Sequence, residues 1–80
     1  MARPLQVGVI GGVRPPLDPA LAGVRAAEDA GFDILLVSDH VGPGRSPLPQ
    51  LAAVAATTSA LRIGTFVLNS DMRNPVQLAW

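Results

Sequence analysis

Three short apolar runs punctuate the chain: Leu5 to Ile10, Ile34 to Val37, and Ile63 to Leu68, the last led by Arg62. Valine and isoleucine are frequent in them, and turn-forming residues bound each one, a pattern that favours strand over helix. None alternates cleanly between apolar and polar positions. Near-continuous apolarity marks a strand covered on both faces, which is the habit of parallel sheets. The pattern predicts strands over about 5–10, 33–38 and 62–68.

Between the runs lie two alanine-rich segments with helix punctuation. Asp18 before Pro19 offers an N-cap oxygen and then a proline at the first helical position, where its missing N–H costs nothing. A helix over about 19–30 follows, stopped by Gly31, with Leu21, Val24 and Ala27 inward and Arg25, Glu28 and Asp29 outward. A second helix, about 48–59, begins between Ser46 and Pro49 and turns Leu51, Val54, Ala55 and Thr58 inward. Asn74-Pro75 repeats the cap-then-proline signal and predicts a third helix over about 75–80.

Strand starts near 5, 33 and 62 are about 28 and 29 residues apart. That is the length of a strand plus its crossover helix, so the order is βαβαβα with parallel strands. The expected fold is α/β: the first three βα units of a TIM (β/α)8 barrel, truncated. Eight such units would take roughly 240 residues, against the ~250 typical of that barrel. Three strands and two complete crossovers leave two sheet edges and much of one face uncovered. The chain therefore reads as a piece of a larger domain or part of an obligate assembly.

Composition narrows the function classes. Of 80 residues, 49% are hydrophobic and 15% charged, too apolar a balance for a disordered chain. Six arginines offset six acids without any basic cluster, which argues against a nucleic-acid partner. The absence of cysteine excludes a disulfide framework and thiolate metal sites, and points to a cytoplasmic location. No apolar run approaches the ~18 residues of a membrane span, so no membrane association is expected.

In parallel α/β folds, binding groups collect where the chain leaves the C-terminal ends of the strands. Segments 11–17, 38–46 and 69–74 occupy those places. The second holds Ser38-Asp39-His40, with the only histidine in the chain. An acid and an imidazole there could bind a polar ring edge and move a proton near neutral pH. The plainer reading makes Asp39 a loop cap and His40 a surface residue. With no second histidine and no HExxH, a histidine-based metal site is not expected. Gly8, Gly11 and Gly12 do not spell the dinucleotide fingerprint, and Gly42-Pro43-Gly44-Arg45-Ser46 lacks the Gly-Lys-Ser/Thr ending of a phosphate loop. Both sets read as turn devices. Gly8 and Gly64, inside strands, suggest close backbone approach or curvature. Asn69 and Ser70 stand where a pocket floor would lie. Arg73 has the charge to bind an anion but reads more simply as a solvated residue beside a helix cap.

Four stretches taken in order carry a resemblance. Ala27-Glu28-Asp29-Ala30-Gly31-Phe32-Asp33, Leu36-Val37-Ser38-Asp39-His40, Leu61-Arg62-Ile63-Gly64-Thr65 and Arg73-Asn74-Pro75 resemble the luciferase-like oxidoreductases. Within that bacterial luciferase superfamily the likeness is greatest to the branch using the deazaflavin coenzyme F-420, and it covers the chain from Leu5 onward. It implies a TIM barrel with F-420, or alternatively FMN, at its C-terminal mouth. The implied reaction on a small organic substrate is hydride transfer with F-420, or monooxygenation with FMN. By match, Asp39 would hydrogen-bond the cofactor ring, and His40 would be the catalytic acid/base or orienting group facing the substrate. A non-proline cis peptide at Phe66–Val67 would back the ring, and Asn69 would join the cofactor-binding set. Val41-Gly42-Pro43-Gly44 stands where some relatives have a tryptophan, so no catalytic tryptophan is carried over. Later strands, which in the family supply the phosphate site and most of the substrate pocket, are not in this chain. A homodimer is common in the family. Two further readings stand beside this one: a non-catalytic truncated remnant of such an enzyme, and a small flavodoxin-like binding module.

Overall fold

Residues 4–41 and 44–80 are described by a computed structural model. Their order is β1 (Gly8–Ile10), α1 (Leu17–Asp29), β2 (Ile34–Val37), α2 (Pro47–Thr57), β3 (Arg62–Thr65), a 3-10 turn (Ser70–Met72) and α3 (Pro75–Ala79). The strands form one parallel sheet in the order β1-β2-β3. Register places Val9 beside Leu35 and Leu35 beside Ile63, so these three share a face. On that face Val24 of α1 and Val54 of α2 meet Leu35, with Val13 and Leu61 completing the core. Both crossover helices therefore lie on the same side of the sheet. A flavodoxin-like module instead has its first strand in the interior of the order 2-1-3; here β1 is at an edge.

The opposite face carries Ile34 and Leu36, whose side chains spread over glycines on the flanking strands. A β-carbon at Gly8 would stand 2.9 Å from Ile34 Cγ2, and one at Gly64 would stand 3.2 Å from Leu36 Cδ2. The close approach expected at both glycines is thus a matter of side-chain room.

Several element ends differ from the pattern along the chain. β1 is shorter than 5–10 because an acid takes over its ladder: Asp33 N–H donates to the Val7 carbonyl at 2.9 Å, while Val7 N–H donates to Asp33 Oδ2 at 2.7 Å. β3 stops at Thr65 rather than 68 because its partner β2 stops at Val37, and Phe66 N–H to the Val37 carbonyl (3.0 Å) is the final ladder bond. The Phe66–Val67 peptide that follows is cis, as is Pro15–Pro16.

α1 begins at Leu17, with Pro16 in the cap position, so Asp18 is not its N-cap. Pro19 falls in the first turn, where the missing N–H has no intrahelical acceptor to lose. At the other end Gly31 has φ +92°, and the Gly31 and Phe32 N–H groups donate back to the carbonyls of Glu28 and Ala27. This is the left-handed glycine closure that the sequence signals.

α2 covers 47–57 rather than 48–59. Val54 is 0% exposed, and Leu51, Thr57 and Thr58, three or four positions away, are half-buried beside it. Ala55, expected inward, is exposed.

Glu28 is likewise not an outward surface acid. Its Oε2 accepts N–H donors from Ser59 (3.0 Å), Ala60 (2.8 Å) and Leu61 (2.7 Å), tying the end of α1 to the turn that launches β3. The Leu61 and Ala60 bonds lead in holding its carboxyl below the ordinary 4.5. Asn74 caps α3 as its sequence predicts, accepting Val76 N–H at Oδ1 (2.9 Å). No helix among the described residues is long and apolar enough to cross a membrane.

Candidate functional site

The C-terminal ends of the strands deliver three loops to one edge of the sheet. β2 ends by projecting Ser38, Asp39 and His40, and the chain leaving β3 brings Phe66 to Ser70 alongside. The carboxylate of Asp39, whose side chain is only 7% exposed, fastens the two together. Its Oδ2 accepts the Asn69 N–H at 2.7 Å and Nη1 of Arg73 at 2.5 Å. The same Nη1 donates to the Asn69 carbonyl at 2.8 Å. Asp39, Asn69 and Arg73 thus close a small ring of hydrogen bonds that sets the path of the 66–73 segment.

The guanidinium bond, with the Asn69 amide second, holds the Asp39 carboxyl below its ordinary 3.8. The bond to Asp39 in turn raises the Arg73 guanidinium above its ordinary value. The carboxylate is therefore ionised at neutral pH. Among the described residues no donor engages its other oxygen, Oδ1.

Two clefts flank this ring. One, of about 750 Å³, is lined by Asp39, His40, Phe66, Val67 and Asn69 with Ile10 and Ser38 beside them. All five positions singled out in the sequence therefore stand around one hollow. Its apolar wall is bare: Ile10, Phe66 and Val67 are 62%, 58% and 70% exposed. An open carboxylate oxygen beside an uncovered apolar wall suits a flat heterocycle with N–H donors along one edge, so the residues present fit a flavin or deazaflavin ring.

The second cleft, about 610 Å³, lies between the loops after β1 and β2 and includes Arg14, Ser38, His40, Arg45 and Gln50. His40 borders both hollows, is exposed, and makes no hydrogen bond through its ring among the described residues.

The geometry redistributes some expected roles. Asn69 contributes its backbone N–H and carbonyl to the ring, while the residue itself is exposed. Arg73 is not a solvated cap neighbour but the partner of Asp39. Gln50 carries no local signal at all, yet it joins two loops. Its Oε1 accepts Val13 N–H (2.9 Å), and its Nε2 donates to the carbonyls of Arg45 and Ser46 (both 3.1 Å). The signals that would have revealed these residues are pairings across about thirty-five positions of chain, which local spacing does not encode.

A family model described as luciferase-like monooxygenase matches residues 3–80. The chain belongs to that family. Among its relatives, the F-420-dependent glucose-6-phosphate dehydrogenase of Beutenbergia cavernae is 45% identical over 60 residues, 66% of this chain and 18% of the relative. The enzyme of the same name from Nakamurella multipartita is 44% identical over 55 residues, 60% of this chain and 16% of the relative. That of Segniliparus rotundus is 45% identical over 62 residues, 68% of this chain and 18% of the relative. The luciferase-like chain thus spans less than a fifth of the length of these relatives. No solved structure matches it. Its α/β architecture, a parallel sheet with crossover helices on one side, agrees with the family resemblance carried by its strand-end residues.

Proposed function

We propose that this luciferase-like chain forms the ring-binding edge of an F-420-dependent oxidoreductase that transfers hydride between the deazaflavin and a small organic substrate. The three strands with helices on one face are read as a section of the wall of a (β/α)8 barrel. The open sheet face of Ile34 and Leu36 is then turned to the interior, and the clefts at the strand ends to its mouth. The observation that carries the reading is Asp39. One of its oxygens is fixed by Arg73 and Asn69, the other has no donor among the described residues, and the residue lines an apolar-walled hollow. The F-420-dependent relatives support the choice of ring.

When bound, coenzyme F-420 supplies a two-electron hydride acceptor or donor. Asp39 would hold the polar edge of the ring through its carboxylate and so orient it. Ile10, Phe66 and Val67 give it a dry surface. His40, which lines both hollows, would take the hydroxyl proton of a substrate whose hydride passes to the bound deazaflavin, and would return a proton in the reverse direction.

Titration of the protein into F-420, followed by deazaflavin fluorescence, tests this reading. Saturable binding is expected, weakened at least about tenfold in Asp39→Ala through loss of a charge-assisted bond. His40→Ala should retain binding and lose turnover. Failure of the wild-type protein to bind F-420 would sink the proposal, and preferential binding of FMN would move the chain to the monooxygenase branch.

A further inference from the structure

Arg73 does not line the ring-binding hollow, yet its guanidinium touches both loops that do. We propose that Arg73 is a positioning residue for ring binding: one nitrogen sets the Asp39 carboxylate, which holds the ring edge, against the apolar wall that covers the ring face. This role rests on the ring reading above.

A single donor group serves both loops. Nη1 of Arg73 donates to Asp39 Oδ2, on the loop after β2, and to the carbonyl of Asn69, on the segment after β3. The Asn69 N–H donates to the same Oδ2, so the two loops are tied once directly and once through the guanidinium. Phe66 and Val67, in the same segment as Asn69, are 58% and 70% exposed, so little packing of their own holds that wall in place. Asp39 also needs a counter-charge, because a side chain only 7% exposed has little water to support an ionised carboxylate.

The backbone presents Arg73 from both sides. Its own N–H donates to the Ser70 carbonyl at 3.2 Å, at the end of the 3-10 turn. Asn74, next in the chain, caps α3 by accepting the Val76 N–H, and its carbonyl takes the Leu78 N–H at 2.9 Å. Arg73 is thus extended, with φ −134° and ψ 148°, between two hydrogen-bonded turns. A backbone fixed in this way leaves only side-chain rotamers to be ordered when the ion pair forms, which lowers its entropic cost. Because one nitrogen makes both contacts, the fork of arginine is not used bidentately. An ammonium can then supply the same charge and donors, whereas an amide supplies donors without charge.

The test is a double-mutant cycle on the affinity of the whole chain for F-420, read by deazaflavin fluorescence, and for FMN if that ring is preferred. Arg73→Gln should weaken binding about tenfold, the loss of a charge-assisted contact, while Arg73→Lys should stay within about threefold of the wild type. In an Asp39→Asn background Arg73→Gln should cause no further loss, because its effect passes through the carboxylate. Arg62→Gln removes the same charge at the opposite end of β3, where Arg62 Nη2 donates to Gln6 Oε1, and should leave affinity unchanged. Unweakened binding by Arg73→Gln, a lysine variant as weak as the glutamine one, equal loss at Arg62→Gln, or a further loss in the Asp39→Asn background overturns the role. If Arg73→Gln fails to fold by circular dichroism, the double variant, which leaves no unpaired charge, carries the comparison with Asp39→Asn alone. A wild type that binds neither ring overturns the ring reading and this role with it; tight binding that ignores Arg73 overturns this role alone.

Discussion

Replacing Gln50 by alanine removes three hydrogen bonds and leaves the backbone of both cleft loops unjoined. The bond to Val13 N–H is the costlier loss, because Val13 is buried and its amide is left without an acceptor. A neutral bond of this kind contributes about 1 kcal/mol net. The two bonds to the Arg45 and Ser46 carbonyls lie at exposed positions, where water replaces the donor, so about 0.5 kcal/mol each is the upper end. The sum is about 2 kcal/mol. An unfolding entropy near 2.1 cal/mol/K per residue gives ~0.17 kcal/mol/K for a chain of 80 residues, so Gln50→Ala should lower Tm by about 12 °C. Thermal unfolding followed by circular dichroism measures this against Gln77→Ala, an exposed glutamine on α3 that should move Tm by no more than about 3 °C. Amide exchange at Val13 supplies a local readout, accelerated roughly thirtyfold if the lost bonds govern its opening. Equal Tm values for the two variants, with unchanged exchange at Val13, would refute the view that Gln50 holds the loops.

Two other perturbations have signs that follow directly. Glu28 has a folded pKa depressed below 4.5, so its contribution to stability is complete above 4.5 and is lost as pH falls through the folded value. Glu28→Gln should flatten the acid limb of the stability profile, and an unchanged limb in pH-dependent urea unfolding would contradict the three-amide clasp. At Gly44 a β-carbon would overlap the carbonyl oxygen of His40, whereas Gly23 on α1 has open space around it. Gly44→Ala should therefore displace the imidazole signal of His40, which is the chain's single histidine and easily assigned, while Gly23→Ala leaves that signal in place.

What the chain revealed before its structure, and what it concealed, divides along a physical line. Signals that act within one turn of backbone were legible. Asn74 caps α3 and Gly31 closes α1 because each works on amides or carbonyls within a few residues of itself. The strands were legible in position but not in length, since a strand ends where its neighbour does, and neither β1 nor β3 contains that information. Asp39 and His40 could be located at a strand end from the alternation of elements alone. The state of Asp39 could not, because the arginine that fixes its charge lies 34 positions away. Glu28 illustrates the same limit from the other side. Its place in the helical repeat pointed outward, yet the end of a helix is where a long carboxylate can leave that face and reach unpaired amides 31 to 33 residues onward. Asp18 was the reverse case: a residue with the right chemistry for a cap, displaced when the helix gained two residues ahead of Pro19.

The bond from the Asn69 amide to Asp39 has a consequence for how the protein can be observed. A donor arriving at Oδ1 draws on the same carboxylate charge that Oδ2 shares with Asn69 and Arg73, so occupancy of the hollow and strength of the clasp are thermodynamically linked. The amide proton of Asn69 is therefore a built-in gauge. Its chemical shift reads, from the backbone and without a label on any ligand, how strongly the far side of one carboxylate is engaged.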